Sequence, residues 1–114
     1  MLIAAVLIEL ELEQAESIKA KRRVVKSILD RVAKRYNVSI AEVDDQGDRH
    51  SICLGCVKVG IDPRHLRTQM EKVVRYVDSL GLAEVVGDDI VITRLADWVE
   101  EDGVDEDDDE EFPD

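Results

Sequence analysis

The sequence predicts an α+β domain in the order βαββαβ, with two helices on one face of a four-stranded antiparallel sheet. Three observations predict it. Two long segments repeat apolar residues every three to four positions, and the segments around them alternate with a period of two. The two middle alternating segments are joined by a short polar turn, Gln46-Gly47-Asp48-Arg49-His50, which makes them a hairpin. A hairpin set between two helices and flanked by single strands is the ferredoxin-like split βαβ arrangement.

The first strand is "LIAAVLIELELE". Glu9, Glu11 and Glu13 fall on one side, with Leu10 and Leu12 on the other. Ile3, Ala5 and Leu7 share the side of the glutamates, so the first half is apolar on both sides. One side packs under the helices, and the other needs a cover. Ile3, Ala5 and Leu7 are therefore expected to suit a homodimer or a partner protein.

From Ser17 the period lengthens to 3.6. Ile18, Val25, Ile28, Leu29, Val32 and Tyr36 share one helical face, Ser17 serves as N-cap and Asn37 as stop. "VSIAEVDD" then reads as the second strand and "SICLGCVKVG" as the third. In "DPRHLRTQMEKVVRYVDSLG", Asp62 caps a second helix, Pro63 takes its first position and Gly81 closes it. Leu66, Met70, Val73, Val77 and Leu80 form its apolar face. "LAEVV" and "IVITR", interrupted at Gly87-Asp88-Asp89, supply the last strand or a strand pair. The domain is thus placed at residues 1–95. Residues 96–114, "ADWVEEDGVDEDDDEEFPD", are too charged to offset the entropy of ordering and are expected to be a disordered acidic tail, with Trp98 and Val99 able to dock on the domain.

The charge is unevenly placed. The 114 residues carry a formal net charge of -12, and Asp97 to Asp114 holds 12 acids and no base, so the folded part is neutral. Within that part, Ser17 to Tyr36 contains eight Lys or Arg against Asp30 alone. Aromatic residues make up 4% of the chain, which leaves few platforms for base stacking. No run approaches the ~20 apolar residues that cross a bilayer, and the opening segment lacks a basic start and a small-residue cleavage site. With two cysteines and no secretory signal, a reducing cytoplasm and no membrane association are expected.

Three stretches together resemble a known family: "LIELELE", "SIKAKRRVVKSILDRVAKRYNVSIAEVDD" and "LGCVKVGIDPRHL" are similar to the YlxP-like family of small bacterial proteins, a domain of unknown function, over about residues 2–95. The most specific part is Ser17-Ile18-Lys19-Ala20-Lys21-Arg22-Arg23 followed by "NVSIAEVDD". The resemblance implies a ferredoxin-like α+β fold. It also implies an RNA-related setting, because genes of this family often stand among those for transcription and translation factors. The chain departs from the family pattern in the turn at 46–50, which lacks an aromatic residue, and in its acidic tail.

The basic helix is the principal candidate site. At 100° per residue from Val25, Lys19, Arg23, Lys26 and Lys34 form an outward stripe interrupted only by Asp30. Lys21 falls roughly 40° from the apolar centre and should lean toward the sheet end or a neighbouring loop. Cations in a first turn oppose the helix dipole unless an anion is bound there. Lys19, Lys21, Arg22, Arg23 and Lys26 are therefore the candidate phosphate contacts, most plausibly to structured or ribosomal RNA. The plainer alternative is a solvated face, kept basic for solubility or paired with Glu9, Glu11, Glu13 and Glu16. A homodimeric interaction module or an anionic-ligand module is the other alternative, and the tail is a potential intramolecular competitor for the stripe.

Other constellations are weaker. Cys53 and Cys56 form a C-x-x-C, but three positions apart on a strand they point to opposite faces and suit core packing, not chelation. His65 stands near a helix start with no nucleophile beside it. Glu42, Asp44, Asp45 and Asp48 are acids of a hairpin end, where one or two carboxylates could bind Mg²⁺ but solvation of the turn is the usual role. No phosphate loop or nucleotide fingerprint is present, and the expectation is a non-enzyme without metal or cofactor.

Overall fold

The computed structural model describes residues 1–13 and 16–98. In chain order its elements are β1 (Leu2–Glu11), α1 (Ile18–Arg35), β2 (Ser39–Asp44), β3 (Ser51–Gly60), α2 (Pro63–Ser79) and β4 (Glu84–Arg94), followed by a 3-10 turn at Leu95–Trp98. The sheet order is β2-β3-β1-β4, antiparallel throughout, which is the ferredoxin-like arrangement. Of the tail expected from residue 96, Ala96 to Trp98 lie in that 3-10 turn, and the rest, with the docking of Val99, falls outside the described residues.

The core follows from the strand period. In β1, Ala4, Val6, Ile8 and Leu10 are buried beneath the helices. Register pairs Ala4 with Lys58, Val6 with Cys56, Ile8 with Leu54 and Leu10 with Ile52, so β3 presents Ile52, Leu54 and Cys56 to the same layer. Val25, Ile28 and Val32 descend from α1, and Leu66, Met70, Val73 and Val77 from α2. Each set repeats at three or four positions, the interval that keeps one helical face on the sheet. Truncating one of these large side chains to Ala costs about 2–5 kcal/mol.

The helix ends obey their punctuation. The Ser17 hydroxyl accepts from the Ala20 N–H at 3.1 Å, and the Asp62 carboxylate accepts from the Arg64 N–H at 3.0 Å ahead of Pro63. Gly81 follows α2 with φ 69°, a left-handed conformation that an L side chain resists. α1 ends at Arg35, two residues before the expected stop at Asn37, with Tyr36 between them as its C-cap.

The last strand is continuous through Gly87-Asp88-Asp89. Glu9 faces Gly87 and Leu10 faces Val85, so Val86 is the extra residue of a β-bulge that lets pairing resume. β4 is an edge strand, where Asp88 and Asp89 stay solvated and discourage further strand addition. β2 is the other edge and carries a second bulge at Val43. Val43 lies across Gly55, where an added Cβ would meet its Cγ1 at 2.9 Å.

Candidate nucleic-acid interface

α1 positions the basic residues in two distinct ways. Lys19, Arg22, Arg23 and Lys26 are exposed on the solvent side of the helix, and no acid stands in its first turn. Lys26 Nζ lies 3.2 Å from Asp30 Oδ2, an open i,i+4 pair worth about 0.3–0.5 kcal/mol. Lys34 and Arg35 occupy the last turn, where cations agree with the helix dipole.

Lys21 behaves differently and leaves the set of phosphate contacts. Its side chain is 1% exposed, and the ammonium is spent inside the protein. It donates to the Asp45 carbonyl and, at 2.5 Å, to the Asp48 carbonyl, and it lies 3.2 Å from Glu42 Oε2. The Glu42 oxygen has no hydrogen bond, so it meets the lysine through charge alone. The expected lean of Lys21 toward the sheet end is what buries it: the aliphatic stem crosses the helix–sheet seam and the charged tip reaches the β2–β3 turn. A cation committed to three internal oxygens has no capacity for a phosphate. Its role is to tie the start of α1 to the hairpin.

The turn it grips is locally ordered. Asp45 has φ 61°, and the Asp48 carboxylate accepts from the His50 N–H at 2.8 Å and the Ser51 N–H at 3.2 Å. Those amide donors, the His50 N–H foremost, hold the Asp48 carboxyl below its ordinary pKa. Among the described residues, the ion pairs are Lys21–Glu42 and Lys26–Asp30. Glu9, Glu11, Glu13 and Glu16 therefore do not neutralise the α1 stripe.

Ile3, Ala5 and Leu7 lie on the face of β1 away from the helices. Register sets Val59 and Thr93 beside Ile3, Val57 and Val91 beside Ala5, and Gly55 and Asp89 beside Leu7. Leu7 is 40% exposed, Val57 43%, Val91 55% and Val59 60%. The apolar patch is thus three strands wide, although the sequence pointed to β1 alone. Beside it, the Trp98 indole donates to Thr93 Oγ1 at 2.9 Å and the ring stays largely exposed.

The remaining candidates are spread apart. Register sends Cys53 to the open face opposite Glu9 and Cys56 to the helix face opposite Val6. Both are buried free thiols, and burial pushes the Cys56 thiol up to about 11 and raises Cys53 as well. His65 is exposed on α2. Among the described residues, no three His, Cys, Asp or Glu side chains gather as a metal would require.

One cluster escaped the sequence reading. The Arg35 guanidinium stacks 4.8 Å from the Tyr76 ring centroid and 5.9 Å from that of Tyr36, and the two rings meet edge-on at 5.6 Å. The contributors come from both helices, so only the Lys72, Arg75, Tyr76 spacing on α2 was available as a signal.

These features define a ferredoxin-like α+β scaffold with a basic helix on one side and an apolar sheet face on the other. The chain belongs to the family described as "Protein of unknown function (DUF503)", whose model matches residues 3–90. It is 34% identical over 65 residues to the uncharacterized protein YlxP of Bacillus subtilis (strain 168), a match that covers 57% of this chain and 71% of that protein. It is also similar to the crystal structure of a Chloroflexus aurantiacus J-10-fl protein assigned as an antibiotic biosynthesis monooxygenase. That similarity has a TM-score of 0.50 and 13% identity, over 81% of this chain and 93% of that one. At such identity the likeness concerns the fold alone. No described helix is long and apolar enough to cross a membrane.

Proposed function

We propose that this protein is a non-catalytic cytoplasmic module that rides the phosphate backbone of a structured RNA, such as ribosomal RNA, on the outer face of α1. The observation that carries the reading is the exposed set Lys19, Arg22, Arg23 and Lys26, which starts in the first turn of α1, where cations gain nothing from the dipole, and to which only Asp30 offers a partner. A bound phosphate reverses that cost, and the RNA-related setting that the family resemblance implies favours RNA over other polyanions. The reading is one of binding because the strongest nucleophiles, Cys53 and Cys56, are buried and held protonated.

The test is fluorescence anisotropy of the full chain with a labelled RNA hairpin. With four phosphate contacts, affinity should fall roughly 50- to 150-fold between 50 and 200 mM salt. Arg22→Gln with Arg23→Gln should weaken binding and flatten the log–log salt slope by about two. Binding that ignores both salt and these substitutions sinks the proposal.

A second reading rests on the open sheet face. Leu7, Val57, Val59 and Val91 present an apolar surface of the kind that two copies bury by facing each other across a two-fold axis. It is compatible with the first, since a dimer would carry two basic helices.

A further inference from the structure

Between the C-terminal end of α1 and α2 runs an open cleft of about 650 Å³, into which Arg35, Lys58, Lys72 and Arg75 converge around Tyr36 and Tyr76. Among the described residues no carboxylate lines it, and none pairs with any of its four cations. Four like charges in one groove repel each other, and the arrangement is relieved by an anion that bears more than one charge.

The groove is also preorganised. Arg35 Cζ lies over the Tyr76 ring, 4.8 Å from its centroid, a cation–π contact that restrains the guanidinium before any ligand arrives. Lys58 Nζ donates to the Asn37 carbonyl at 3.0 Å, which anchors the ammonium on the β3 side and leaves two of its three protons for a ligand. A planar fork and several ammonium donors match the oxygens of phosphate groups.

The site is separate from the stripe already described. At 100° per residue, Arg35 lies roughly 180° around α1 from Lys26. We infer that this cleft is a second anion site, one that takes the phosphate groups of a polyphosphate or of a nucleic-acid backbone. The inference does not depend on RNA binding by the opposite flank of the helix.

The experiment is a titration of the full chain with inorganic pyrophosphate at low salt, followed by 1H–15N and aromatic NMR. The expected result is a saturable shift centred on Tyr36, Tyr76 and Lys58. Lys72→Gln with Arg75→Gln should weaken it at least tenfold, while Arg22→Gln with Arg23→Gln leaves it unchanged. All four positions are exposed, and a thermal melt confirms that both variants fold. A parallel titration with the RNA hairpin identifies the source: a loss of RNA affinity in the cleft variant assigns the phosphates to a backbone, and a loss confined to pyrophosphate assigns them to a free anion. Pyrophosphate binding without RNA binding would end the α1 proposal and leave this one standing. Shifts spread over all exposed cations without saturation, or binding indifferent to Lys72 and Arg75 with both probes, would overturn it.

Discussion

The helix layer and the open sheet face leave different chemistry in solvent. Above the helices, Lys19, Arg22, Arg23 and Lys26 are exposed along α1, while on the far side of the same sheet Leu7, Val57, Val59 and Val91 are. Both surfaces are built on period and register, yet they are suited to opposite forces. The first acts through charge and weakens with salt, and the second acts through apolar area and does not. Lys21 shows where the line between them is drawn. It has the same charge as its neighbour Arg22, but it crosses the seam and becomes part of the scaffold that holds α1 against the hairpin.

Removing that lysine breaks the comparison most severely. Lys21→Ala leaves Glu42 and the Asp45 and Asp48 carbonyls without their cation, and the loss of one partner of a buried pair costs about 3–5 kcal/mol. Urea denaturation should show that loss, and hydrogen exchange should show the β2–β3 turn opening. Lys21→Met with Glu42→Leu should recover part of the stability, because it leaves no orphan charge, while the Asp45 and Asp48 carbonyls still lack their donor. If Lys21→Ala were as stable as the parent protein, the lysine would not be the tie described here.

The apolar face is tested at Leu7, its large exposed side chain on β1. Leu7→Lys places a charge between Gly55 and Asp89, where a facing copy would have to bury it. Sedimentation equilibrium should show a weakening of self-association of at least about tenfold, equivalent to ~1.4 kcal/mol, with little change in folding. A parent chain that stays monomeric at high concentration removes the second reading altogether. A dimer unaffected by Leu7→Lys moves the contact to another surface.

How much of this was legible in the sequence depended on the range of the interactions. Element order, caps and the core faces are local patterns, and Ser17, Asp62 and the Leu66 to Val77 repeat announced them directly. The inward lean of Lys21 was legible too, because helical phase alone gives it. Its partners were not, since they lie 24 and 27 residues away in a turn whose geometry depends on tertiary contact. The unbroken last strand was ambiguous for a similar reason: Gly87-Asp88-Asp89 reads as a turn until Glu9 sits opposite Gly87 and a bulge absorbs Val86. The cleft around Arg35 showed only its α2 share, Lys72, Arg75 and Tyr76, because α1, β3 and α2 each supply part of it.

The mildest substitution sharpens the comparison most finely. Asp30 is the single acid of the basic helix and holds Lys26 at 3.2 Å, with both side chains largely in water. Such a pair contributes at most about 0.5 kcal/mol, so Asp30→Asn should leave the denaturation midpoint almost unmoved. Its effect on the surface is larger than its effect on the fold. Neutralising Asp30 frees Lys26 and makes the stripe continuous from Lys19 to Lys34, and RNA affinity measured by anisotropy should rise several-fold with a steeper salt slope. Unchanged affinity would mean that Lys26 is outside the contact, and the interface would then contract to the first turn around Arg22 and Arg23.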